Sequence, residues 1–135
     1  MTKFDPQWIV GFTDGEGCFH IGISKNDTYV VGYQVLLEFT ITQHKKDEKL
    51  LNNIKNYFNC GVVRFQNEDI MCYRVRNFNH ILEIIIPFFE KHHLKTLKYV
   101  DFQRFRRVAL LIEKNDHLTK EGLEKIRNIK GEKLR

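Results

Sequence analysis

Apolar and polar residues recur with two distinct periods along this chain. From Phe19 to Ser24, Phe19, Ile21 and Ile23 alternate with His20, Gly22 and Ser24, the two-residue period of a half-buried strand. Lys25-Asn26-Asp27 is a turn signal, and a longer strand is predicted from Tyr29 to Thr42. Its Tyr33, Val35, Leu37, Phe39 and Ile41 share one face, and Gln34, Leu36, Glu38, Thr40 and Thr42 share the other. The period then lengthens. Leu50, Leu51, Ile54, Tyr57 and Phe58 sit at helical spacing from Asp47 to Phe58, behind two acids that suit a helix N-terminus. Asn59-Cys60-Gly61 stops that helix. Val62 to Gln66 and Met71 to Arg76 predict a hairpin around Asn67-Glu68-Asp69.

Three further helices follow. One runs from about Asn79 to Phe89, bent or ended by Pro87; after a basic loop from Lys91 to Thr96, the others run from Leu97 to Glu113 and from Thr119 to Ile129. At the front, Ile9 to Gly15 reads as a short helix, apolar on several sides, behind an Asp5 cap and Pro6. Apart from the short last helix, the order α-β-β-α-β-β-α-α contains two similar β-β-α stretches. It predicts an α+β fold in which one four-stranded mixed or antiparallel sheet is backed by helices. No Gly/Ser/Pro-rich linker divides the chain, so residues 1–135 are expected to form one domain. No apolar run approaches the roughly 18 residues of a membrane span. Cys18, Cys60 and Cys72 cannot all pair internally, which together with the N-terminal pattern predicts free thiols and an intracellular protein.

Charge adds a partner class. Residues 1–58 hold six Lys/Arg against seven Asp/Glu, and residues 59–135 hold sixteen against ten, so the whole excess of +5 lies in the second part. A basic surface attracts a polyanion, which fits nucleic acid and equally fits a solvated basic face.

The most specific signal is Ile9-Val10-Gly11-Phe12-Thr13-Asp14-Gly15-Glu16-Gly17. Gly11 and Gly15 are four apart, share a helix face and leave it without Cβ atoms, so that a second backbone can approach. Each glycine costs a helix about 1 kcal/mol relative to alanine, which argues for a close partner on that face. Glu16 stands where the helix ends. Taken alone, Asp14 to Gly17 also reads as a polar helix-to-strand turn, and a calcium loop is excluded by its spacing.

These nine residues resemble the LAGLIDADG motif of homing endonucleases, with Gly11, Asp14, Glu16 and Gly17 at the family's Gly, acid, acid and Gly positions. Phe39-Thr40-Ile41-Thr42-Gln43 resembles the end of that family's second strand. The segment from His93 to Phe102 resembles its basic stretch before a late helix, and Asp116 to Leu123 resembles the tail of organellar members. The resemblance spans nearly the whole chain and implies the αββαββα fold with a saddle-shaped sheet. It also implies a site-specific DNA endonuclease that makes metal-dependent double-strand breaks in a long pseudo-palindromic site. One motif implies a homodimer, with Gly11, Phe12 and Gly15 at the interface. Glu16 and the Gly15 carbonyl would hold Mg²⁺, for which Mn²⁺ or Ca²⁺ substitutes in binding. Gln43 and Lys95 match the outer catalytic positions, with Lys98 a rival for the lysine. The family's genes often lie in introns of chloroplasts or mitochondria.

Base reading is expected from the polar sheet face: His20, Ser24 and Asn26; Gln34, Glu38 and Thr40; Arg64 and Gln66; Arg74 and Arg76. Arginine pairs bidentately with guanine and glutamine or asparagine with adenine, although any half-buried sheet has a polar face. Two other readings use the same scaffold: an intron maturase, which binds RNA and assists splicing, and a non-catalytic sequence-specific DNA-binding protein. Zinc has no support, because no Cys-x2-Cys or His-x3-His spacing occurs.

Overall fold

The structure, a computed structural model, describes residues 3–131; residues 1–2 and 132–135 of the expected domain lie outside the described residues. Asp5 opens helix α1 (Pro6–Glu16), its carboxylate accepting the Gln7 N–H at 2.7 Å while Pro6 supplies the first helical φ. The helix runs one residue further than its sequence pattern predicts and passes without a loop into strand β1 (Gly17–Lys25). That junction requires glycine. A Cβ at position 17 would lie 2.6 Å from Thr13 Cγ2 and 2.9 Å from the Thr13 carbonyl oxygen.

Strand β2 (Tyr33–His44) begins four residues later than predicted. Asn26 Oδ1 accepts the Thr28 N–H at 3.0 Å and its hydroxyl at 2.6 Å, the Asn26 N–H donates to the Gly32 carbonyl at 2.9 Å, and Gly32 turns at φ +80°. This local turn overrides the strand propensity of Tyr29, Val30 and Val31. After one 3₁₀ turn (Lys45–Asp47), helix α2 (Glu48–Phe58) ends on Asn59 in the left-handed conformation, φ +57°. Strand β3 (Val62–Phe65) is one residue shorter than predicted, and β4 (Ile70–Val75) starts and ends one residue earlier than predicted, so Gln66 and Arg76 stand just past the strand ends.

The sheet order is β1-β2-β4-β3, and every neighbouring pair is antiparallel, not mixed. The predicted third helix is a composite. It comprises α3 (Phe78–His80), capped by Asn77, a π-helical turn (Ile81–Ile85) and α4 (Ile86–Lys91). Pro87 has no N–H for the carbonyl four residues back, and the ladder widens just before it, with the Ile86 N–H reaching Ile81 O. Pro87 therefore neither ends the segment nor stops it short of Lys91. Helices α5 (Lys98–Glu113) and α6 (Lys120–Lys130) complete the chain, the latter capped by Thr119 Oγ1, which accepts the Gly122 N–H at 3.0 Å.

The helices cover one face of the sheet. Phe19 of β1 touches Phe39, Phe89, Phe102 and Phe105 with ring centroids 5.1 to 5.4 Å apart, tying two strands to α4 and α5. Leu37, Ile41, Tyr73 and Val75 are buried on the same side. The opposite face carries the polar set of the alternation and is exposed or half-exposed, apart from buried Cys72. All three cysteines are free. No helix among the described residues is long and apolar enough to cross a membrane.

Candidate active site and nucleic-acid surface

Helix α1 divides its residues between two environments. Ile9, Val10 and Thr13 are buried against the core. Gly11 and Gly15 face away from it, and a Cβ built on either meets nothing within 4 Å. Trp8 flanks this bare strip, 42% exposed, stacked between Phe4 and Phe12 at centroid distances of 4.8 and 5.0 Å. Phe12 is half-buried and packs partly on the core, so it borders the glycine strip rather than standing on it.

The two acids of the motif do different work. Asp14 is a clasp: Oδ2 accepts the Lys95 N–H at 2.8 Å, and Oδ1 accepts the Thr96 N–H at 3.2 Å and the Thr96 hydroxyl at 2.7 Å. It holds the loop before α5 against the end of α1. Glu16 is exposed at the last position of α1. Its neighbour Gly15 contributes one of the terminal carbonyls that a helix leaves without an internal donor, at the negative end of the dipole. One carboxylate and one backbone carbonyl form an oxygen-only donor set. That set fits a hard cation such as Mg²⁺, which keeps waters and substrate phosphates among its ligands. No group of three or more His, Cys, Asp or Glu suited to a metal occurs among the described residues, so a self-contained protein cage of the zinc kind is absent there.

Two lysines approach this point by different routes. Lys95 is held through its backbone and its side chain is exposed. Lys98 Nζ donates to the Gly17 carbonyl at 2.5 Å, which brings an ammonium group one residue from Glu16. Gln43 is half-buried near the end of β2 and pairs with Met71, on the alternate set from Thr40 and Thr42.

The register assembles the expected base-reading residues into rows across the outer face. His20 faces Glu38, Ser24 faces Gln34, Thr40 faces Arg74, and Arg64 faces Cys72. Asn26 lies past the end of β1, with its carboxamide donated to Gln34 Oε1 at 3.2 Å. Arg76 Nε donates to Glu38 Oε2 at 2.5 Å. Gln66 is exposed beyond β3. The Asp14 clasp, the Lys98 contact and the Glu38–Arg76 pair join residues 38 to 82 positions apart and have no local sequence signature. Thr42 belongs to the same outer face and could have been added from parity alone.

Residues 9–109 match the family model for the LAGLIDADG endonuclease. The chain belongs to the LAGLIDADG endonuclease family. A probable intron-encoded endonuclease 2 of Neurospora crassa is 36% identical over 125 residues, 92% of this chain but 26% of that protein. A 50.9 kDa protein in ND4 intron 1 of Podospora anserina is 37% identical over 89% of this chain and 27% of its own length. The chain thus spans about a quarter of these curated relatives. Among solved structures, the homing endonuclease I-TnaI superposes with a TM-score of 0.91 at 50% identity, over 95% of this chain and 86% of that one. The meganuclease I-SmaMI bound to uncleaveable DNA superposes with a TM-score of 0.96 at 36% identity, over 99% of this chain and 45% of that one. LAGLIDADG architecture therefore accommodates this unit both as most of a chain and as less than half of one.

Proposed function

We propose that this LAGLIDADG chain is a site-specific DNA endonuclease whose described residues act as one DNA-binding and cleavage domain. It would work as a homodimer on double-stranded DNA. The observation that carries the reading is the position of Glu16. It is an exposed carboxylate at the end of a helix whose outer strip is bare, where a sheet with an uncovered polar face begins. A second copy seated on Gly11 and Gly15, bordered by Phe12, would bring two such helix ends together. Each copy would then read one half of a pseudo-palindromic site, because two-fold protein symmetry is mirrored in half-sites. I-SmaMI, of which this chain covers less than half, has been seen with an uncleaved DNA target in the presence of calcium ions.

Glu16 and the Gly15 carbonyl are the residues that would hold Mg²⁺. When bound, the ion supplies water activation and charge neutralisation at a scissile phosphate. Lys98 keeps a positive charge beside the Gly17 carbonyl, where it would face a non-bridging phosphate oxygen. Lys95 offers a second, solvent-exposed ammonium, and Gln43 would order water from the strand end. Asp14 acts through the loop, holding both lysines in register with Glu16. Names of the relatives support an intron-borne gene, and we infer a chloroplast or mitochondrial setting.

An intron maturase is the second reading, since it would use the same scaffold on RNA; retention of an exposed acid at position 16 favours the nuclease. Incubating the purified protein with a plasmid carrying the joined flanks of its own gene, with Mg²⁺ or with EDTA, tests the proposal. Mg²⁺-dependent linearisation is expected, and a mobility shift with no cutting in either buffer would reject catalysis.

A further inference from the structure

Glu38 and Arg76 form one unit on the outer sheet face. Arg76 stands immediately after β4, and its backbone is fixed on both sides. Val75 is paired with Phe39, and Asn77 caps α3 by accepting the His80 N–H at 3.1 Å. Since Phe39 pairs with Val75, Glu38 lies next to Arg76 in the continuing register, and His20 faces Glu38 from the other side. His20, Glu38 and Arg76 therefore make a row across three strands.

Within that row the two charged groups differ in depth. The Glu38 side chain is 18% exposed and that of Arg76 is 50% exposed, so the carboxylate is the covered anchor and the guanidinium the reaching group. Glu38 Oε2 takes the Nε–H. A guanidinium has five N–H donors in a rigid plane, and fixing the Nε edge leaves those on the two terminal nitrogens as a fork. This fork matches the N7 and O6 acceptors of guanine in the major groove. A charge-assisted contact that already holds the side chain also lowers the ordering cost of docking it on a base. Glutamate on its own would accept from cytosine N4, but here the better exposed member of the pair is the arginine.

We infer that Glu38 is a positioning residue for Arg76 and that the pair specifies a guanine at one position of each half-site. This deepens the proposed function, resting on the outer face being the DNA surface, and it names one required feature of the substrate. The consequence is a defined division of labour: Arg76 touches the base, and Glu38 acts only through Arg76.

The test is selection of bound duplexes from a randomised library by the full chain and by Arg76→Ala, Glu38→Ala, Glu38→Gln and the double alanine variant. Thermal unfolding of each variant checks that it folds. The wild-type protein is expected to prefer guanine at one position by about 5- to 150-fold. Arg76→Ala and Glu38→Ala should both flatten that position alone, the double variant should be no flatter than Arg76→Ala, and Glu38→Gln, which keeps an acceptor, should restore part of the preference. If Glu38→Ala changes a different position, abolishes a cytosine preference or changes nothing, the inference fails while the DNA-binding reading stands. If the wild-type protein selects no sequence, the DNA-binding reading itself fails and takes the inference with it.

Discussion

Asp14 and Thr96 are joined twice, the Asp14 Oδ1 atom accepting both the backbone N–H and the hydroxyl of Thr96, at 3.2 and 2.7 Å. These residues are 82 positions apart, and with the Lys95 N–H they lock the loop before α5 onto the end of the motif helix. Thus one acid of the motif fixes the geometry around the other. Asp14→Ala is expected to lower the unfolding free energy by about 1–3 kcal/mol, the range for losing hydrogen bonds to a charged acceptor. It should reduce cleavage more than DNA binding. Chemical denaturation and single-turnover cleavage measure the two effects. Unchanged stability would show that the clasp is idle in solution.

The bare strip on α1 gives a prediction whose two parts point in opposite directions. A side chain at Gly11 meets nothing within 4 Å in the protomer, and replacing a helical glycine by alanine favours the helix by about 1 kcal/mol. Gly11→Ala should therefore leave the protomer as stable as before or more so, and Gly11→Leu should not unfold it. Both should weaken self-association, Gly11→Leu the more. Analytical ultracentrifugation with DNA present, beside a thermal melt, reads both quantities. A Gly11→Leu protein that dimerises normally would remove the helix strip from the interface.

The two lysines can be ranked. Sequence resemblance favours Lys95, whereas the contact with the Gly17 carbonyl fixes the Lys98 ammonium at the residue that follows Glu16. Lys98→Met is expected to slow single-turnover cutting by about 10²-fold or more, and Lys95→Met by about tenfold, within the range for losing one electrostatic stabiliser. DNA binding in low salt should change little in either. The reverse order of rates would return the catalytic role to Lys95.

Stability should fall with acidification through His117. Burial holds its imidazole below the ordinary histidine pKa, against a smaller opposing effect of Asp116, and its Nδ1 is buried without a hydrogen-bond partner among the described residues. A group with a depressed folded pKa contributes stability that is present above its unfolded value, about 6.5, and is lost as pH falls through the folded value. Unfolding free energy measured from pH 7.5 to pH 5 should decline, and His117→Gln should make the decline shallower. An identical slope in the variant would assign the acid sensitivity to other groups.

What the sequence disclosed follows from the range of the forces involved. Strand alternation from Phe19 to Ile23 and from Gln34 to Thr42 is set by burial of every second side chain, so both sheet faces were legible. The glycine strip and the acid at Glu16 were legible because they lie within nine residues. Tyr29 to Gly32 misled, since three strand-forming side chains there are overruled by the carboxamide of Asn26 and by the left-handed Gly32. The π turn before Pro87 was hidden for a related reason: proline forbids one hydrogen bond but does not say how the neighbouring turn adjusts. Contacts such as Asp14 with Thr96 and Glu38 with Arg76 depend on how distant elements meet. No periodicity encodes them.

Glu16, the exposed carboxylate at the end of α1, is the group we propose makes this chain a nuclease. Single-turnover cleavage of a radiolabelled duplex of the selected site by wild-type protein and by Glu16→Gln, each at saturating protein with Mg²⁺, tests it most directly. The expected result is cutting of both strands by the wild-type protein, and undiminished binding with cutting reduced by about 10³-fold or more in the variant. Equal cleavage by the two proteins would contradict it.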